Sequence, residues 1–286
     1  MVISKVRDTL ASALRSRVAG PDGPTIARRI WETEGERWFA PGDPIWTVHA
    51  DASMFVGGIR ALLLQSLHPL AMAGVAAHSG FKGDPWGRLQ RTSHFIATTT
   101  YATTPDAEAM IARVRKIHLA VRGTAPDGRP YAASDPHLLR WVHIAEIDSF
   151  LRSHQQFATA PLDSEQADRY VDQTAQIARR LGVDDPPTTV AELDDQIDGY
   201  RPELTGTSEA REAARFLLLN PPLPLLARPG YGALAAGAVA LLPSWARGPL
   251  RLPYLPLTEK VVNLPIGDAA TSVIRWAMTA PTPSAA

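Results

Sequence analysis

Proline follows a capping residue at the head of one apolar helical run after another, and this punctuation limits what the chain can fold into. DPWGRLQRT (84–92) offers Asp84 as N-cap and Pro85 as first helical residue. TPDAEAMIARVRKIHLAVRG (104–123) offers Thr104 as cap, Pro105 behind it, early acids, and Gly123 past the end. SDPHLLRWVHIAEIDSF (134–150) repeats the device. Alternating β-branched runs are nearly absent. The spacing predicts helices over 2–18, 24–36, 52–78, 85–101, 105–122, 136–157, 163–181, 188–198, 208–219, 231–242 and 258–276. The fold class this implies is all-α: a single-domain globular helical bundle over residues 1–286.

Between the helices, GTAPDGRPYAASDP (123–136) reads as a turn-rich loop, with PDG as its turn. NPPLPLLARPGY (220–231) is the best candidate linker, but too little chain follows it to make a second domain. The tail 280–286 (APTPSAA) is expected to be disordered. Residues 54–77 are long enough to span a membrane, but Arg60, Gln65, His68 and Pro69 interrupt them. Residues 231–243 fall short of the roughly 20 apolar residues that a span needs. Both read as buried helices. Ile3, Val6, Leu10, Leu14 and Val18 give the first helix an apolar stripe, expected to pack on the protein body. No transmembrane segment is expected, contact with a membrane surface is left open, and the cytoplasm is the expected compartment.

The 29 basic and 29 acidic residues cancel, so no general affinity for nucleic acid follows. The chain has no cysteine, which excludes thiolate metal sites, iron–sulfur clusters and cysteine nucleophiles. Walker A, G-x-S-x-G and H-E-x-x-H motifs are absent. All 8 histidines lie between His49 and His154, which places imidazole chemistry in the first half.

Four constellations could carry chemistry. In helix 105–122, Ile111, Arg115, His118 and Arg122 share one ridge. Either this is a solvated edge, or His118 is a metal ligand whose arginine neighbours favour its neutral form and neutralise a bound anion. In helix 85–101, Arg88, Arg91 and Thr92 share a face. A short link suggests antiparallel neighbours, so four guanidiniums and His118 would share one cleft and need an anionic partner. A haem, with two propionates and an iron, answers both needs. His68 and His78 are ten residues apart, close to three turns on an otherwise apolar helix, either as satisfied core residues or lining a pocket. Finally, His143, Glu146 and Asp148 include a His-x-x-Glu pair that could bind a non-haem metal.

LHPLAMAGVAAHSGF, DPWGRLQRT, RKIHLAVRG and DGRPYAASDPHLLRWVH, in that order, resemble the DUF2236 family, the MpaB-like and latex-clearing-protein (rubber oxygenase) catalytic domain. The likeness is densest over 60–157. It implies an all-α, globin-like helical core holding haem b, and dioxygen as co-substrate in the cleavage of isoprenoid double bonds. By the resemblance, His118 corresponds to the proximal iron ligand. Arg115 and Arg122 match its flanking arginines. Arg88 and Thr92 match the ends of a distal R-x-x-K-T element. Arg91 stands where rubber oxygenases carry a lysine. A guanidinium is a very poor iron ligand, so an open or water-filled sixth position is expected, with Arg91 and Thr92 polarising dioxygen. Rubber oxygenases also carry an acid on the preceding helix, whereas residues 52–83 contain none. That leaves His68 or His78 as the nearby base.

The expectation is therefore a haem b oxygenase acting on an apolar, isoprenoid or lipid-like small molecule. The alternatives are a haem-binding sensor or carrier without turnover, and a non-haem His/carboxylate metalloenzyme. The sequence does not set the oligomeric state.

Overall fold

Helix α4 (Met54–Gln65) carries one charge, Arg60, along an otherwise apolar surface, so other helices must cover it. The computed structural model describes residues 2–78 and 83–279. In it, α8 (Pro136–Phe157) lies along α4, with α12 (Arg228–Ala240) on another side. Leu63, Leu64 and Leu67 are sealed from solvent, each worth about 1.5–3 kcal/mol of burial. Gly57 sets how closely α4 meets α8. A β-carbon there would sit 2.9 Å from a Phe150 ring carbon and 3.2 Å from the Ser149 carbonyl oxygen. Arg60 is buried too, and its guanidinium makes three hydrogen bonds. It donates to Asp148 at 2.6 Å, to the Ser149 hydroxyl at 2.7 Å and to the Leu241 carbonyl at 3.0 Å.

The expected single helix over 52–78 is in fact two. Pro69 has no N–H to give the Gln65 carbonyl, and the chain turns by 108° between α4 and α5 (Pro69–His78). The Trp141 indole N–H, 3.2 Å away, takes up the freed Gln65 oxygen. His68 sits in the bend, so His68 and His78 do not share a straight face. No single helix among the described residues is long and apolar enough to cross a membrane.

Helices α6 (Pro85–Tyr101) and α8 start and end where the periodicity placed them. Asp84 accepts from the Gly87 N–H and Asp135 from the His137 N–H. The next helix, α7 (Thr104–Ala120), is capped by Thr103 rather than Thr104 and stops two residues early. The stretch read as a loop then pairs as a small hairpin, β1 (Arg122–Thr124) against β2 (Pro130–Ala132), with Gly123 opposite Tyr131. The PDG turn closes it, and Gly128 has φ +88. Gly123 therefore does not end a helix. Its missing side chain makes room for the Tyr131 ring.

A short helix, α3 (Pro44–Ala50), has the same Asp–Pro entry but is too brief to show a period. It packs on α6, α8 and α9 (Ser164–Leu181). The first helix, α1 (Val2–Ala19), lies on α6 and on the last helix, α15 (Leu264–Met278), as its stripe predicts. Gly237 of α12 and Gly267 of α15 let those helices touch across Phe157. The buried Arg247–Glu259 pair, 2.7 Å apart, pins the π-helical turn Glu259–Asn263 that leads into α15. The fold is all-α as expected, with the apolar segments 54–65 and 231–242 contributing to its core. The expected tail, 280–286, lies outside the described residues.

Candidate active site

A two-residue link folds α7 back along α6, and each helix has 17 residues. At equal rise per residue, the head of α6 lies beside the tail of α7. Arg88 stands in the first turn of α6 and His118 in the last turn of α7. His118 is half-buried, with its Nδ1 closed off from solvent. Neither ring nitrogen has a hydrogen bond among the described residues. Burial lowers the His118 pKa, so the ring is neutral at pH 7. Arg88 is half-buried, its pKa lowered first by burial and then by the Arg91 charge.

The other predicted groups have separate anchors. Exposed Arg91 pairs with exposed Asp84 at 3.1 Å, and Thr92 faces solvent. Arg115 donates to the Arg180 carbonyl at the end of α9. Arg122 donates to the Leu119 carbonyl. His118 and Arg88 are thus half-buried, while Arg91, Arg115 and Arg122 are exposed. His78, at the end of α5, is exposed and bonds the Tyr131 hydroxyl at 3.1 Å. His68 is buried in the α4–α5 bend beside His137 and Glu203.

Deeper inside, α8 presents His143 and Glu146 one turn apart. Burial pushes His143 down to about 3 and Glu146 up to about 7. Both nevertheless keep some accessible surface. Glu146 has no hydrogen bond or ion pair among the described residues, so its carboxyl is held mainly protonated below pH 7. Tyr170 of α9 lies close enough to feel it. Burial raises the phenol's pKa first, and the charges of Glu146 and Asp148 raise it further. The Tyr170 hydroxyl is 3.3 Å from His49 Nε2, and His49 Nδ1 is 2.8 Å from the Thr100 hydroxyl of α6. Burial holds His49 at about 3. A polar line thus runs from α8 through α9 and α3 to α6, with one proton-bearing carboxyl at its end.

The sequence signalled His143 and Glu146 by spacing, but nothing marked Tyr170 or Thr100. No third ligand joins His143 and Glu146 among the described residues. The group there that could hold a metal is His68, His137 and Glu203. Two open clefts lie away from His118: one of about 400 Å³ beside Leu67, Arg201, Leu204 and Trp245, the other of about 430 Å³ beside Arg60 and Arg152.

A family model described as "ER-bound oxygenase mpaB/B'/Rubber oxygenase, catalytic domain" matches residues 46–276, from α3 to α15. The match covers most of the chain and every candidate residue above. No curated protein and no solved structure matches.

Proposed function

Since this chain belongs to the mpaB/rubber oxygenase catalytic-domain family, we propose that it is a haem b-dependent oxygenase using dioxygen on an apolar, isoprenoid or lipid-like small molecule. We assign the task to the chain as one catalytic domain. The carrying observation is the His118 ring: half-buried, neutral, and without a hydrogen bond among the described residues. A buried polar nitrogen left alone costs about 1–3 kcal/mol, which an iron bound at this ring would offset. A neutral, unbonded imidazole suits the iron of a porphyrin, and a half-buried guanidinium such as Arg88 suits one of its carboxylates.

His118 would hold the iron from the α7 side. Arg88 would meet a propionate, with Arg115 and Arg122 at the rim supplying further positive charge. Bound there, a haem supplies the redox-active iron that dioxygen chemistry needs. Arg91 and Thr92 are the polar groups assigned to the opposite side. Glu146 offers a buried carboxyl, where the segment before α6 has none. With a pKa of about 7 it can hold or release a proton near neutrality. Half-buried Met54, Phe55, Phe95 and Ile96, packed on the core, favour an apolar substrate.

The test joins a pyridine haemochrome assay to oxygen uptake over a panel of polyprenyl substrates. The reading expects about one haem per chain and substrate-dependent uptake. Full haem without uptake would favour a binding protein without turnover. A colourless protein from a haem-sufficient host would end the haem reading.

A further inference from the structure

We propose that His68, His137 and Glu203 form a binding site for one divalent transition-metal ion of the zinc class, separate from the α6–α7 seam. The three residues come from distant parts of the chain: the α4–α5 bend, the first turn of α8, and the 3₁₀ turn Arg201–Glu203 after α10 (Val190–Tyr200). Their ligating atoms all lie within 4.8 Å of one another. His68 Nε2 is 3.4 Å from Glu203 Oε2, and His137 Nε2 is 2.9 Å from the same oxygen. A tetrahedral ion about 2.1 Å from each ligand needs them about 3.4 Å apart, so small side-chain shifts suffice.

The His68 ring makes the strongest case. Its side chain is 1% exposed, and Nε2 is buried, aimed at Glu203, and without a hydrogen-bond partner. On its other side, Nδ1 has only a 3.5 Å contact from the Ala71 N–H, at the outer limit of a hydrogen bond. Giving Nδ1 the proton, as metal ligation through Nε2 requires, therefore sacrifices little.

His137 has a partner on each ring nitrogen. The Tyr200 hydroxyl donates to the His137 carbonyl at 2.8 Å, which spends its one proton. It must then accept from His137 Nδ1–H, 3.2 Å away. Nε2 is then the nitrogen that meets the two Glu203 oxygens, at 3.0 and 2.9 Å, where a bound cation would take the place of its proton. The nearest rival cation, Arg129, is already held by Asp127 at 2.9 and 2.7 Å.

Two histidines and one glutamate are a zinc-type donor set that leaves a position for water. Glu203 and His137 are 42% and 48% exposed, so an ion can enter from solvent. The backbone carrying His68 and Glu203 also borders the cleft at Leu67 and Leu204. Such an ion would tie the bend before α5 to the start of α8. The inference does not rest on the haem reading.

The experiment titrates Zn²⁺ into the chelator-treated, dialysed full chain by calorimetry, beside His137→Ala and Glu203→Gln. Both residues are half-exposed, so the variants should fold, which far-UV circular dichroism checks. We expect one ion per wild-type chain, with affinity falling at least about tenfold in each variant. Zn²⁺ should raise the Tm of the wild type and not that of Glu203→Gln. No stoichiometric binding to wild type would overturn the proposal, and so would wild-type affinity in both variants. The first result would leave the cluster a plain histidine–carboxylate ion pair.

Discussion

Replacing Glu146 by glutamine should stabilise this protein in alkali and leave it nearly unchanged in acid. Glu146 lies deep on α8 with no hydrogen bond or ion pair among the described residues, and burial lifts its pKa from 4.5 to about 7. At about 1.36 kcal/mol per pH unit, that difference corresponds to about 3 kcal/mol once the group is ionised. The folded chain keeps the proton up to about pH 7, whereas the unfolded chain loses it near 4.5. Between those values the folded state binds more protons, so stability falls as pH rises. Glutamine cannot ionise and escapes the loss. Urea unfolding at about pH 5 and about pH 8.5 should therefore show the advantage of Glu146→Gln growing by about 3 kcal/mol. An advantage that stays constant with pH, or a variant less stable in alkali, would refute the burial argument and with it the proton-holding role of Glu146.

On the acid side the sign reverses. His49 and His143 stay neutral down to about 3, while the unfolded chain protonates them near 6.5, so their contribution is lost as pH falls from 6.5 toward 3. His143→Leu should reduce the slope of unfolding free energy against pH by up to about 1.4 kcal/mol per pH unit in that window. Arg60→Met strands buried Asp148 with only the half-exposed Arg152 as partner, and should cost about 3 kcal/mol in urea unfolding. Gly57→Ala drives a methyl against Phe150 and the Ser149 carbonyl, and should cost about 1–3 kcal/mol, with part recovered by adding Phe150→Leu.

Local chemistry marks its own boundaries, which is why α6 and α8 were legible to the residue: the Asp–Pro entry both caps and starts a helix. The same signal stands before α3, but seven residues are too few to show a period, so that helix and His49 were missed. Pro69 was visible as an interruption. The 108° turn it produces also depends on Trp141, 76 residues away, accepting the role of donor to Gln65. Arg60 read as a flaw in an apolar segment, because its partners Asp148 and Ser149 lie on another helix.

The candidate site divides the same way. The spacing of Arg115, His118 and Arg122 was legible, as was His143 with Glu146. Spacing could not reveal that Arg115 and Arg122 spend donors on backbone carbonyls, or that Glu146 is deep enough to hold a proton near pH 7. The His68–His137–Glu203 group joins a bend, a helix start and a 3₁₀ turn, and no local motif marks it.

The central claim is that His118 holds a haem iron, and haem content in His118→Ala measures it most directly. The His118 ring makes no hydrogen bond among the described residues, so its truncation should leave the fold intact by circular dichroism. His143→Ala, which removes another interior imidazole without a hydrogen bond among the described residues, serves as the comparison. The account predicts that His118→Ala, purified from a haem-sufficient host, loses its Soret band and pyridine haemochrome while His143→Ala keeps both. A folded His118→Ala protein with a full complement of haem would contradict it.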